Sequence, residues 1–168
     1  WHFLRLPSPT PVQYQLADYL QNGPNRRIIM AYRGCGKSFL TAGYVLWRLR
    51  KDPDTKVLVI SAAQDRADAF SVFCHDLLRN WFMVQDLFPS DTQRFSKVAF
   101  DVFGSKPDQS PSVRSSGIFG QITGSRADLI VADDVETPQS CETQLIRDKL
   151  RESIKEFDSV IKPGGEIV

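Results

Sequence analysis

The run Ala31-Tyr32-Arg33-Gly34-Cys35-Gly36-Lys37-Ser38 constrains this chain more than any other stretch. Its last three positions match the end of G-x-x-x-x-G-K-[ST]. In that loop, backbone N–H groups turn inward around phosphates, a lysine reaches the β/γ oxygens and a hydroxyl binds Mg²⁺. Ala31 stands where the pattern has its first glycine, yet the flanks are those the loop requires. Arg26 to Ala31 (RRIIMA) predicts a buried parallel strand, and Ser38 to Arg50 predicts a helix whose N-terminus faces the bound anion. Gly34, Cys35, Gly36, Lys37 and Ser38 are therefore candidate phosphate-binding residues, with Ser38 also a metal ligand.

Apolar strand-like runs alternate with helical patterns, which predicts an α/β fold around a mostly parallel sheet flanked by helices. Val12 to Leu20 reads as a short helix after Pro9-Thr10-Pro11. The helix after the loop ends near Asp52-Pro53. Lys56 to Ala62 reads as a strand, and Asp65 to Phe82 as a helix with Ala69, Phe70, Phe73, Leu77 and Trp81 along one core-facing side. Val98 to Phe103 reads as a further strand. Gly104 to Gly124 reads mostly as loops, with a short strand at Gly117 to Ile122.

With 168 residues, 42% hydrophobic and 24% charged, the chain suffices for one compact domain. Its net charge of +1 excludes a global polycation, so any nucleic-acid contact must come from a local patch or from another part of the protein. Cys35, Cys74 and Cys141 are odd in number and far apart, which argues against a disulfide framework or a zinc site and for a reducing compartment. No apolar run reaches membrane-spanning length and no signal-peptide pattern opens the chain, so a soluble, intracellular protein is expected.

The second chemical signal is Asp128-Leu129-Ile130-Val131-Ala132-Asp133-Asp134-Val135-Glu136. It describes a central strand that delivers carboxylates to the crevice where open α/β sheets bind ligands, as a Walker B strand does. An acid there holds Mg²⁺, and a nearby carboxylate orients or deprotonates the attacking water. Asp133 ends the apolar run and is the metal candidate; spacing leaves Glu136 and Asp134 both open as the water-polarising acid. Arg33 either contacts the γ-phosphate or hydrogen-bonds loop carbonyls. Arg126, just before the acidic strand, lies at the end of the sheet opposite the site. It either enters a neighbour's site as an arginine finger or pairs with Asp128. The Gln13 amide has the donor and acceptor that adenine's edge needs. His2 and His75 lack partners at metal spacing and are read as structural or without a role.

In order, Leu6-Pro7-Ser8-Pro9-Thr10-Pro11-Val12-Gln13, the loop at Tyr32 to Ser38, Val59-Ile60-Ser61-Ala62, the serine-rich Asp108 to Ser115, Thr123-Gly124-Ser125-Arg126-Ala127-Asp128 and Ala132-Asp133-Asp134-Val135-Glu136 resemble the ATPase domain of a tailed-phage terminase large subunit, most closely the short-tailed type. The likeness runs over nearly the whole chain. It implies a RecA-like P-loop NTPase core of the additional-strand class, here the N-terminal ATPase domain spanning residues 1–168, with the family's RNase H-like nuclease domain lying beyond Val168. It further implies adenine recognition by Gln13, a phosphate-sensing Arg33, phosphate and metal binding at Lys37 and Ser38, metal at Asp133, catalysis at Glu136 and a finger at Arg126.

The expected activity is ATP hydrolysis, with ATP and Mg²⁺, that drives double-stranded DNA into a viral procapsid. The partners implied are double-stranded DNA, the portal, the small terminase subunit and further copies of the chain, in a five-membered ring when docked and as a monomer in solution. The expected place is the host cytoplasm and, transiently, the portal. A helicase of the same ATPase class, or a nucleotide-gated docking module that hydrolyses nothing, are the alternatives.

Overall fold

The computed structural model describes residues 2–138 and 141–168. Helix α1 (Pro11–Asn22) starts where the sequence supplies a capping box. The Thr10 hydroxyl accepts from Gln13 N, the Gln13 side chain accepts from Thr10 N at 2.8 Å, and Pro11 fills the first turn. Helix α2 (Lys37–Lys51) follows the glycine-containing loop at residues 31–36, and β1 (Val57–Ser61) is buried along its whole length. Next come α3 (Gln64–Asn80), β2 (Ala99–Phe100), β3 (Val113–Gly117), β4 (Ala127–Asp133), α4 (Gln144–Lys155), α5 (Phe157–Val160) and β5 (Ile161–Ile167).

The strands form one sheet in the order β2-β3-β1-β4-β5, all parallel except β2. Side chains alternate across it. Val57, Val59, Leu129 and Val131 pack with α2 and α3 on one face, while Leu58, Ile60 and Ile130 pack with Leu150, Phe157 and Val160 on the other. Both faces are covered, which is why β1 and the centre of β4 read as unbroken apolar runs. Among the described residues no helix is long and apolar enough to cross a membrane.

Several elements differ from their sequence reading. The segment Arg26–Ala31 is not a buried strand: Arg26 bridges Ile167, Arg27 N donates to the Ile167 carbonyl at 3.0 Å, and regular pairing stops there. β5 offers bonds only at that end, so Ile28 (82% exposed) and Met30 (92% exposed) face outward while Ile29 packs on the core. The strand expected at Gly117–Ile122 lies earlier, at Val113–Gly117, and shares only Gly117 with that expectation. Its sequence, VRSSG, looks like a loop, but Ser115 is buried with its hydroxyl 2.7 Å from Asp68 Oδ1 on α3. After Gly117 the chain turns, with Gly120 N donating to the Gly117 carbonyl at 2.8 Å. The strand expected at Val98–Phe103 is confined to Ala99–Phe100. On α3 the stripe holds for Phe70 and Leu77, which are buried, and for Phe73 and Trp81, which pack against the core; Ala69 is exposed and Ala67 takes its place inside.

A cluster of charges ties these elements together. The Glu166 carboxylate on β5 is held by Arg27 and Arg48, and accepts from the Tyr44 hydroxyl at 2.6 Å. Arg27, its side chain 1% exposed, also donates to the carbonyls of Tyr19 (3.1 Å) and Leu20 at the end of α1. Burial opposes ionisation of Glu166, but the Tyr44 hydrogen bond and the two guanidinium groups hold its carboxyl below the usual range. Glu166→Gln keeps the shape and leaves both cations without their anion, an imbalance that costs about 3 kcal/mol. Denaturant unfolding at neutral pH should register that loss. Because the folded-state pKa is depressed, Glu166 stabilises above its unfolded pKa and stops doing so as pH falls through the folded one; the gap between wild type and variant should therefore close in acid.

Candidate nucleotide site

Residues 31–36 turn tightly because Gly34 (φ 84°) and Gly36 (φ 85°) lie in the left-handed region that glycine adopts without strain. A Cβ at Gly34 would meet nothing within 4 Å, so conformation rather than space requires the glycine. Among the described residues the only non-glycines with positive φ are Arg5 and Asp134. Ala31 thus has an ordinary backbone, which explains why the first glycine of the pattern is dispensable here. Gly36 caps α2, placing Lys37 and Ser38 in the first turn, where unpaired N–H groups and the helix dipole favour an anion.

The carboxyl end of β4 comes to this turn. β1 and β4 run in register, with Ser61 opposite Asp133, and the Ser61 hydroxyl donates to the Asp133 carbonyl at 2.8 Å. The Ser38 hydroxyl donates to Asp133 Oδ2 at a long 3.5 Å, and Lys37 Nζ donates to the Ala31 carbonyl at 2.9 Å. Lys37, Thr41, Asp133 and Asp134 line one cavity of about 80 Å³ with Leu40 and Val168. Burial, and then the neighbouring Asp134, push the Asp133 carboxyl above its ordinary range, against the Ser38 hydrogen bond and the charges of Lys37 and Arg66. A half-buried carboxylate in that state gains from a cation. The donors present, one carboxylate and one hydroxyl, are hard oxygens suited to a small divalent ion. Among the described residues no three His, Cys, Asp or Glu cluster as an all-protein metal cage, so such an ion would complete its shell with phosphate oxygens and water.

The remaining candidates are arranged around this centre. Asp134 follows with φ 46°, a left-handed turn that directs the chain away from the strand. Glu136 lies off the small cavity: it lines a larger groove of about 620 Å³ beside α4, and its Oε1 accepts from the Cys141 thiol at 3.3 Å. Gln13 Nε2 donates to the Cys35 carbonyl at 2.9 Å, so α1 is fastened to the loop through the residue read as an adenine reader. The Cys35 side chain is buried beneath that loop. Arg33 is exposed at the loop tip and makes no hydrogen bond or ion pair within the described residues, which removes its reading as a brace for loop carbonyls.

Arg126 is likewise exposed and without such a partner there. Asp128, its expected partner, instead accepts from Lys56 N and pairs with Lys162, both at 2.8 Å. Arg126 precedes a seven-residue strand that ends at Asp133. At about 3.3 Å per residue it therefore stands roughly 20 Å from its own site. His75 is buried against Phe95 and Phe100, with burial depressing its pKa. Sequence reasoning gave no role to Ser61 or Arg66; the hydroxyl that fixes the end of β4 and the cation near Asp133 come from elements whose register becomes apparent only in the assembled sheet.

The chain is 48% identical over 164 residues, 97% of its length, to the terminase large subunit of enterobacteria phage T3, and it spans 28% of that relative's length. Its fold is similar to two solved structures of the large-terminase ATPase domain of Thermus phage P74-26, one of them an arginine mutant. The TM-scores are 0.61 and 0.56 at 14% and 12% identity, over 99% of this chain and 66% of each of those. No family model matches the chain. In sequence the chain is thus similar to a phage terminase large subunit, and its α/β fold is shared with the solved large-terminase ATPase domains.

Proposed function

We propose that this chain hydrolyses ATP to drive double-stranded DNA into a procapsid. The observation that carries the reading is the meeting of Lys37 and Ser38, at the start of α2, with Asp133 at the end of β4. In this reading Lys37 leaves the Ala31 carbonyl for the β/γ-phosphate oxygens, and the loop N–H groups cradle the phosphates. Arg33 neutralises charge on the γ-phosphate, and the amide of Gln13 reads adenine. Ser38 and Asp133 hold Mg²⁺, which offsets charge on the phosphate oxygens. Glu136, turning from Cys141 toward the loop, orients the attacking water, with Asp134 beside it as the other available acid. The 20 Å span of β4 favours Arg126 serving a neighbouring subunit, which requires a head-to-tail ring; five subunits, docked on the portal with the small subunit delivering DNA in the host cytoplasm, is the assembly we infer. A monomer in solution, one ATPase domain over residues 1–168 and a nuclease domain elsewhere in the protein complete the reading.

Lys37→Ala should lower turnover about 100-fold or more, since it removes a preorganised cation from the transferring phosphoryl group; a wild-type rate in a phosphate-release assay would dismiss the loop assignment. Asp133→Asn should abolish Mg²⁺-dependent turnover yet raise the melting temperature of the nucleotide-free protein at neutral pH. The sign follows from its raised folded-state pKa: the ionised form is disfavoured by folding, and the neutral amide lifts that penalty. Arg126→Ala should bind ATP with wild-type affinity and hydrolyse it slowly. Its rate should recover in part when mixed with Glu136→Gln, whose subunits carry an intact finger, and the wild-type rate per subunit should climb with protein concentration. A rate per subunit independent of concentration, with no recovery on mixing, would return the finger to a structural role.

A further inference from the structure

The end of the sheet opposite the loop carries a second constellation. Arg114, on β3, reaches across to the turn that precedes β4: its Nη1 donates to Ser125 Oγ at 2.9 Å and its Nη2 to the Gln121 carbonyl at 3.4 Å. The turn is otherwise fixed at both ends. Ile122 and Ala127 are each 1% exposed, Ser125 N donates to the Ile122 carbonyl at 3.1 Å, and Gly124 supplies φ 88° between them. Arg126 projects from it as its one cation, exposed and without a hydrogen bond or ion pair among the described residues. Beside it, Lys56, Arg114 and Arg126 line a cavity of about 240 Å³ with Gln109, Ser110 and Ser125. The neighbouring carboxylates are engaged elsewhere, Asp128 by Lys162 and Asp108 by Lys56 at 3.9 Å.

We propose that Arg114 is the positioning residue of the Arg126 finger, holding the Gln121–Ser125 turn with both arms of its guanidinium while its charge keeps Arg126 from folding back onto its own subunit. A planar fork can bridge a hydroxyl and a carbonyl that an ammonium cannot hold together. A finger acts only if its guanidinium meets the developing charge, and a misplacement of an ångström removes most of its effect. The inference rests on the reading of Arg126 as a finger supplied in trans.

The test uses Arg114→Ala, Arg114→Lys and Ser125→Ala in the full-length protein, with ATP hydrolysis and the affinity for a non-hydrolysable ATP analogue measured side by side. Arg114→Ala and Arg114→Lys should each slow turnover about tenfold or more at unchanged affinity. Ser125→Ala, which touches only the exposed turn and guards against misfolding of a strand variant, should slow it about threefold. Mixing any of them with Glu136→Gln subunits, whose own turn is intact, should restore part of the rate. Wild-type turnover in both Arg114 variants, or a slow rate that mixing leaves unchanged while Arg126→Ala is rescued, would overturn the role of Arg114 alone. Failure to rescue Arg126→Ala as well would overturn the finger reading beneath it.

Discussion

The fold turns on a carboxylate, Glu166, held between two guanidinium groups. Arg27 comes from the segment leading into the phosphate loop, Arg48 from the helix leaving it, and Glu166 from the strand packed beside β4. Arg27 further grips the last carbonyls of α1, the helix fastened to the loop by Gln13. One anion therefore fixes four segments that local hydrogen bonding would leave independent. The segment before the loop needs this most, since its ladder to β5 amounts to a single bridge at Arg26. A hydrophobic pair at the same place would bury area without direction. The charged cluster sets a rotation as well as a distance, because a fork and a carboxylate meet in few geometries.

What the sequence makes legible is the chemistry whose cause is local. Left-handed backbone at Gly34 and Gly36 can be read from residue type, as can the helix opening at Lys37 and the apolar run that ends at Asp133. β3 is not legible, because VRSSG owes its strand to neighbours: Val57 through Ser61 pair with it residue by residue, and Asp68 satisfies Ser115. The opposite error at Arg26–Ala31 has the same cause. RRIIMA has the composition of a buried strand, and composition says nothing of whether a partner backbone lies alongside. α4 escaped notice for a different reason: outside Leu150 it buries little, and its polar surface reads as undifferentiated charge. At β3 and at Arg26–Ala31 it was tertiary pairing, rather than propensity, that decided the outcome.

The nucleotide site is arranged as a set of temporary satisfactions. Lys37 rests on the Ala31 carbonyl, Ser38 on Asp133, Gln13 on the Cys35 carbonyl and Glu136 beside Cys141. Each of these four groups already has a protein partner, whereas the exposed Arg33 and Arg126 have none among the described residues. Exchanging such a bond for one to substrate costs little, whereas an unpartnered buried lysine or carboxylate would destabilise the empty protein by its full desolvation. Asp133 is the exception: burial and Asp134 leave its ionised form only partly compensated by Ser38, Lys37 and Arg66. That residual imbalance is an electrostatic reason for this corner to take a divalent cation.

β4 gives the molecule two unlike ends. Its carboxyl end presents Asp133 and the acids that follow, while Arg126 stands at its amino end beside Arg114 and Lys56. A strand of this length is rigid and cannot fold one end back on the other, so within one subunit the two chemistries stay apart. Stacked head to tail, the basic end of one copy would face the acidic end of the next, a heterologous contact that closes into a ring when the rotation per subunit allows. The charges complement one another in that arrangement, which accelerates encounter and disfavours a two-fold pairing of like ends. In such a ring the loop at residues 31–36 and the Arg126 that we propose as its finger would belong to different copies, and one subunit's turnover would depend on its neighbour's placement.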